Sequence, residues 1–251
     1  MAEATATTTR RSSLERVHRL LSAFDYESPR LSLSELSRRA GLPLSTTHRM
    51  VGELLDLGIL ERDENEALCI GIEIWRFGLL APRTYGIQRV ALPYMQDLYA
   101  TTGLPVHLGI PQGLQVMIVE SLRPRGSGHE RPKIGQRDPM HMVAVGMALL
   151  AFSNAHVQEQ YLLHLDRIGS SDKPATIRRE LAHARGSGYA ISERRTHPQI
   201  AIGAPILDRI GDPIAALSLV LPEGTATPPY GHLIRSTARA VQRTAWEQGM
   251  G

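Results

Sequence analysis

One stretch near the start of the chain, "SELSRRAGLPLSTTHRMVGEL" (34–54), constrains the fold more than any other. Its apolar spacing predicts two short amphipathic helices around a tight turn. Ser32 precedes Glu35 by three positions, which is the spacing of a capping box and marks the start of the first helix. Gly41 is expected to end that helix, because glycine adopts the left-handed backbone of a sharp exit. Pro43 is expected just inside the second helix, where its missing N–H costs nothing.

The second helix, expected to run to about Asp56, divides by polarity. Its inward face is predicted to carry Met50, Val51, Leu54 and Leu55. Its polar residues, left outside by this spacing, are Ser45, Thr46, His48 and Arg49. Polar side chains gathered on the first turns of an exposed helix raise the question of what they contact.

A helix is predicted before this helix pair and a β-hairpin after it. Residues 13–24 predict an earlier helix with one apolar face, made of Leu14, Val17, Leu20, Leu21 and Phe24. After Gly58, "ILER" and "LCIG" read as two short strands joined by the polar turn "DENEA". Helix, turn, helix and hairpin in this order predict a winged helix-turn-helix.

In such a unit the second helix lies in a major groove with its first residues against base edges. The candidate DNA-binding residues are Leu44, Ser45, Thr46, His48 and Arg49 on that helix and Arg62 on the hairpin. Arg49 has the geometry to bind guanine through two hydrogen bonds. The alternative is a set of solvated polar residues on a small helical domain. The net charge of this region does not distinguish DNA binding from a solvated face, since residues 1–62 hold nine Arg against eight Asp or Glu.

The remaining chain mixes helices and strands and predicts an α/β domain of ordinary size. Residues 72–103 read as a helical connector with a break near Pro82, in which Pro93 either lies near a first turn or kinks the helix. Strands are expected at 105–112, 114–121, 189–194, 200–207 and 213–220. Helices are expected at 142–153, 155–164, 174–186 and 229–247, with a Gly/Arg-rich loop at 123–131.

Composition excludes several classes of protein. A content of 42% hydrophobic and 21% charged residues over 251 residues suits a globular chain. The single cysteine, Cys69, rules out an internal disulfide and a multi-cysteine metal site. Residues 1–11 resemble a disordered tail rather than a secretory signal. The longest apolar run, 140–152, is shorter than the roughly 20 residues of a membrane span. We therefore expect a cytoplasmic protein without membrane contact.

At the level of motifs the chain resembles the IclR family of bacterial transcriptional regulators. The resemblance is carried by "SLERVHRLLSAF", "LSLSELSRRAGLPLSTTHRMVGELLDLGILERD", "GQRDPMHMVAVGMALLAF", "GYAIS" and "IAIGAPILDRIGDPIAALSLVLP". It implies a winged helix-turn-helix at 12–71, a helical linker at 72–103 and a GAF-like effector-binding domain at 104–251. It also implies homodimers or homotetramers on a pseudo-palindromic double-stranded operator. Thr47, Asp138 and Met147 depart from the residues usual in the family, and the last two leave the ligand class open.

The resemblance also places an effector pocket between the helix near Met142 and the central strands. The candidate effector-binding residues are Asp138, Ala144, Val145, Ser192, Ala201 and Ser218. Backbone N–H groups at the start of that helix are suited to a carboxylate, and the implied effector is an organic or aromatic acid. An ionised Asp138 would oppose such a ligand unless Arg137 or Arg123 neutralises it. The alternative is that these are ordinary core residues.

Two other classes of function remain as alternatives. A metabolite-binding enzyme would need a catalytic or cofactor motif, and the sequence has no G-x-S-x-G elbow, phosphate loop, dinucleotide fingerprint or H-E-x-x-H helix. The ten histidines, His107 and His141 among them, form no pair at metal-ligand spacing. A ligand-independent architectural DNA binder would not need the long second half. We predict no catalytic residue, no metal and no cofactor.

Overall fold

The computed structural model describes residues 12–25, 27–80, 82–123, 134–193 and 199–250. Two units make up the chain, Met1–Leu80 and Ala81–Gly251. The expected tail at 1–11 and nearly all of the expected loop at 123–131 lie outside the described residues. No described helix is both long and apolar enough to cross a membrane.

The first unit contains three helices, a hairpin and a further helix. Its elements are α1 (Ser13–Leu21), α2 (Leu33–Ala40), α3 (Leu44–Asp56), β1 (Leu60–Arg62), β2 (Leu68–Ile70) and α4 (Ile72–Leu79). Strands β1 and β2 pair antiparallel, and Leu31 adds a bridge to Leu68. The core is formed by one buried side chain of α1 and the inner faces of α2, α3 and the hairpin: Leu20, Leu31, Leu36, Ala40, Met50, Val51, Leu54, Leu60 and Leu68.

Capping interactions fix both ends of α2 as predicted. The Ser32 hydroxyl accepts a hydrogen bond from the Glu35 amide, and the Glu35 carboxylate accepts one from the Ser32 amide. The Ser32 amide and hydroxyl both donate to the Glu35 carboxylate, and these two bonds lower its pKa. Gly41 ends α2 in the left-handed region, with φ 59° and ψ 41°. The tight turn between the helices therefore depends on a residue without a side chain.

Two expectations for this unit are wrong in detail. Pro43 does not lie inside α3 but caps it, because its ψ of 142° is extended rather than helical. Leu14 is 81% exposed rather than part of the core, because α1 becomes buried only toward its end at Leu20. Phe24 lies beyond the end of α1 and still packs on the core.

The second unit is built on one antiparallel sheet of six strands. Its strands are β3 (Val106–Gln112), β4 (Gln115–Leu122), β5 (Arg137–Pro139), β6 (Ala190–Glu193), β7 (Gln199–Leu207) and β8 (Pro213–Pro222), in the order β5-β4-β3-β8-β7-β6. Its helices are α5 (Pro82–Thr102), α6 (Ala144–Phe152), α7 (Ala155–Arg167), α8 (Pro174–Ser187) and α9 (Thr227–Glu247). A single 3₁₀ turn, Met140–Met142, leads into α6.

Helices cover both faces of this sheet, so each strand alternates between two cores. Helices α5 and α9 pack on the face that presents residues such as Leu108 and Leu217. Helices α6, α7 and α8 form a second core on the opposite face, with Val116 and Ala216 of the sheet. Pro93 lies well inside α5 and not near a first turn.

Candidate functional site

In the first unit the polar start of α3 is the surface available to a partner. Ser45, His48 and Arg49 are exposed, Thr46 is half-buried and Leu44 is 51% exposed. Thr47 is turned inward, and its hydroxyl donates to the Pro43 carbonyl at 3.1 Å. That bond explains how a polar residue occupies an inner position of the helix, since the group is buried with a partner.

The turn in front of α3 is held from α1. Arg19 Nη2 donates to the Gly41 carbonyl at 3.2 Å, which satisfies an acceptor that α2 leaves unpaired at its end. Pro43 provides no side-chain cap for α3. The first N–H groups of α3 therefore face outward, at the positive end of the helix dipole, where phosphates bind.

Both arginines proposed for DNA contact are paired with acidic or carbonyl oxygens in the free chain. Arg49 forms a salt bridge with Glu53, four residues along the same face of α3. Arg62 Nη1 donates to the Glu66 carbonyl at 2.8 Å, within its own hairpin. The hairpin tip also carries Asp63 and Glu64, so Arg62 lies among carboxylates that repel phosphate.

In the second unit, the start of α6 rests directly on the sheet. A Cβ built on Gly203 would lie 2.4 Å from the Ala144 carbonyl oxygen, and one on Gly109 would lie 3.3 Å from Val145 Cβ. Two glycines, on β7 and β3, thus allow the helix to approach the strands closely. Val143 caps α6 without a side-chain hydrogen bond, and the helix's own bonds begin with the Met147 amide on the Val143 carbonyl.

Five of the six predicted effector residues, all except Asp138, come together where α6 begins on the sheet. Ser218 pairs with Gly203 across β8 and β7, and Ala201 pairs with Ser192 across β7 and β6. Because side chains two residues apart share a face, Ser218, Ala201 and Ser192 all lie on the side covered by Ala144 and Val145. The hydroxyl of Ser192 donates to the Met142 carbonyl at 3.3 Å.

Ser218 is the unusual member of this group. It is only 3% exposed, and its hydroxyl makes no side-chain hydrogen bond within the described part of the chain. The hydroxyl oxygen is not one of the fully enclosed unpaired atoms of the described residues, so it keeps an accessible surface. Ser192 and Ala201 beside it are half-buried, so the group opens outward at that end.

Asp138 is not brought into this group. It lies on β5, at the opposite edge of the sheet from Ser192 on β6. Its carboxylate is half-buried and accepts hydrogen bonds from Gln136 Nε2 at 3.0 and 3.2 Å. The Gln136 amide thus hydrogen-bonds the carboxylate but brings no positive charge to neutralise it.

A hydrogen-bonded network anchors the 3₁₀ turn that precedes α6. The buried Tyr161 hydroxyl accepts from the His141 amide at 3.1 Å and lies 2.6 Å from His141 Nδ1, while His141 Nε2 lies 3.2 Å from Asp172 Oδ2. Burial raises the pKa of the Tyr161 phenol, so the phenol stays protonated beside Nδ1. His141, expected to be a packed or capping residue, therefore fixes the position of the 3₁₀ turn that precedes α6.

Sequence reasoning overlooked His107 of β3. It is 8% exposed, pairs with Ser218 on β8, and its Nδ1 lies 3.0 Å from Ser121 Oγ. The signal was available in the alternation of β3, where His107 and Gly109 share one face between apolar neighbours. Among the residues that the structure describes, no group of three His, Cys, Asp or Glu side chains could hold a metal ion.

These observations define a class of protein before any comparison is made: a winged helix-turn-helix in one unit, and in the other a helix-covered antiparallel sheet with polar side chains beneath the start of α6. The model of the IclR helix-turn-helix domain matches residues 13–64, and that of the bacterial transcriptional regulator IclR C-terminal domain matches 81–244. The chain belongs to the IclR family of transcriptional regulators.

Individual relatives agree with this assignment. The glycerol operon regulatory protein of Streptomyces coelicolor is 30% identical over 243 residues, covering 92% of this chain and 95% of its own. The transcriptional repressor AllR of Escherichia coli is 26% identical, with 91% and 88% covered. An IclR homolog of Microbacterium hydrocarbonoxydans, solved in complex with 4-hydroxybenzoate, superimposes with a TM-score of 0.82 at 29% identity, over 92% of this chain and 98% of that one.

Proposed function

We propose that this regulator binds a specific operator through the first turns of α3 and that a small organic acid in the second unit changes its affinity for that operator. The observation that carries the effector half is the buried Ser218 hydroxyl without a side-chain partner, beside the uncapped start of α6. Hydroxyl and helix N–H groups are donors, and donors suit a carboxylate.

The choice of an acid has a second support. The Microbacterium relative was solved with 4-hydroxybenzoate, an aromatic acid. Ala144, Val145, Ser192, Ala201 and Ser218 are proposed to contact the effector. Asp138 lies at the far edge of the sheet and is not proposed to contact the effector. Its negative charge is proposed to act on the effector only from a distance.

For the DNA half, Ser45, Thr46, His48 and Arg49 are proposed to reach bases and phosphates, with Leu44 at the helix entry. Arg62 is proposed as a weaker backbone contact, since it must leave the Glu66 carbonyl to reach DNA. An exposed ion pair contributes little, so Arg49 can leave Glu53 at small cost when it meets a guanine.

Two copies are proposed to act together on a pseudo-palindromic site, as one recognition helix reads only a half-site. Helix α4 and the residue after it expose large apolar side chains in the single chain: Ile72, Trp75, Phe77 and Leu80, which are 60%, 62%, 52% and 72% exposed. Large apolar side chains exposed together on one short segment suit an interaction site, and they support an assembly of two or four chains.

Selection of genomic fragments by the purified protein tests the proposal. We expect recovery of fragments that share an inverted repeat, and an acid that stabilises the protein should change binding to them. Recovery of fragments without a common motif would contradict the proposed operator recognition, and unchanged binding with every stabilising acid would contradict the proposed regulation.

A further inference from the structure

His107 occupies the same polar surface as the predicted effector residues. Strand β3 alternates, so Val106 and Leu108 enter the core under α5 and α9, while His107 and Gly109 face the other side. Gly109 is covered by Val145 of α6. His107 is the next residue of β3 on that face, directly beyond the point where the helix begins.

Cross-strand pairing places His107 next to Ser218, whose hydroxyl has no side-chain partner among the described residues. Val106, His107 and Leu108 pair with Leu219, Ser218 and Leu217 in that order. Directly opposed residues have Cβ atoms about 4.5–5.5 Å apart and interact through their side chains. A molecule that satisfies Ser218 therefore lies within reach of the imidazole of His107.

The imidazole is also fixed in place. Its Nδ1 lies 3.0 Å from Ser121 Oγ on β4, and Ser121 is the cross-strand partner of His107 on that side. Three adjacent strands thus present neighbouring polar side chains, Ser121, His107 and Ser218, across the sheet. Buried polar groups are stabilised by hydrogen-bond partners, which Ser121 provides for His107.

We infer that His107 is a specificity-determining residue of the effector site and selects an anionic ligand by donating a hydrogen bond to it. The inference rests on the proposed function, because it concerns the same site. Histidine is a type of side chain that can carry a positive charge in the physiological range, and here it stands beside the neutral donors of Ser218 and α6. A carboxylate is the ligand that this set of groups favours over the corresponding neutral amide.

The test uses the full-length protein and four acids: acetate, pyruvate, benzoate and 4-hydroxybenzoate. Each is titrated by calorimetry alongside its own primary amide. The variants are His107→Leu, which removes the donor, and His107→Asn, which keeps a neutral one. His156→Asn is the control, since His156 is an exposed histidine of α7 bonded to Gln160.

For the acid that binds the native protein most tightly, His107→Leu should weaken binding at least about tenfold, the size expected for a lost hydrogen bond to a charged group. The preference for acid over amide should fall by a similar factor. His107→Asn should recover part of the affinity, and His156→Asn should match the native protein. Unaltered thermal unfolding and operator binding of His107→Leu without acid would show that it is folded.

The two possible failures can be told apart. Binding of the acid by folded His107→Leu with native affinity and native preference would overturn the role of His107 alone. Absence of binding by the native protein to all four acids would overturn the proposed acid effector and this inference with it.

Discussion

At the scale of single residues, Arg49 is the side chain on which base recognition is proposed to depend. Replacing it by alanine should cost about 1–3 kcal/mol of operator binding and relax preference at one base position, because a bidentate contact to guanine is lost. Arg49→Lys keeps the charge without the planar fork and should retain binding but not the preference. Anisotropy titrations on operators varied one base at a time measure this. Equal weakening on every sequence would instead make Arg49 a phosphate contact.

Ser218 offers a prediction in which stability and binding separate. Ser218→Ala removes a buried hydroxyl that has no described side-chain partner, so the free energy of unfolding should stay the same or rise. Acid binding should weaken. Ser153→Ala is the matched control, because that buried hydroxyl donates to the Leu149 carbonyl at 2.9 Å, and its loss should cost about 1 kcal/mol. Thermal unfolding of both variants measures the difference. A clear destabilisation by Ser218→Ala would contradict the view that the Ser218 hydroxyl has no hydrogen-bond partner in the free protein.

At the scale of elements, the seating of α6 on β7 depends on Gly203. A Cβ there would lie 2.4 Å from a backbone oxygen of Ala144, and backbone cannot move aside as a flexible side chain can. Gly203→Ala should destabilise the protein by about 1–3 kcal/mol and abolish acid binding by displacing the start of the helix.

The control for that variant is Gly186→Ala in α8, where an added Cβ meets nothing within 4 Å. It should be neutral or slightly stabilising, because alanine restricts the unfolded chain. Denaturant unfolding compares the two. Equal stability of Gly203→Ala and Gly186→Ala would contradict the close approach of α6 to the sheet.

The capping box of α2 predicts a dependence on pH. Glu35 has a lowered pKa because Ser32 donates to its carboxylate, so its contribution to stability is present above the ordinary carboxyl range and is lost as pH falls through the lowered pKa. Ser32→Ala should cost about 1 kcal/mol near neutral pH. It should also flatten the fall in stability below pH of about 4.3, the ordinary value for glutamate. Urea unfolding at several pH values tests this, and identical pH profiles for both proteins would contradict it.

For residues and elements alike, the features predicted from the sequence are those fixed by interactions between residues close together in the chain. Helix α2 was predictable because Ser32 and Glu35 act within its first turn and Gly41 directly ends it. The strand β5 was missed because three residues, "RDP", carry no periodicity. The alternation of β3 indicates the face on which His107 lies, but its position beside Ser218 depends on pairing with β8, which lies over a hundred residues further along the chain. That pairing has no local signal.

At the scale of the whole molecule, the proposed DNA-binding and effector-binding surfaces lie in separate units. Helix α4 lies in the first unit and α5 in the second, with the division at Leu80 and Ala81. The helical linker proposed for 72–103 therefore spans that division. An effector can shift the affinity for DNA only by binding one arrangement of the protein better than another.

That coupling is reciprocal by thermodynamic necessity, and this makes it the most direct test of the account. The affinity of the best-binding acid is measured by calorimetry on the protein alone and on the protein saturated with its selected operator. We expect the acid's Kd to change on operator binding by the same factor by which the acid changes the operator's Kd, a factor of about 5–150 for a typical coupling. An acid Kd that is identical with and without operator would contradict the claim that the second unit governs the reading of DNA by the first.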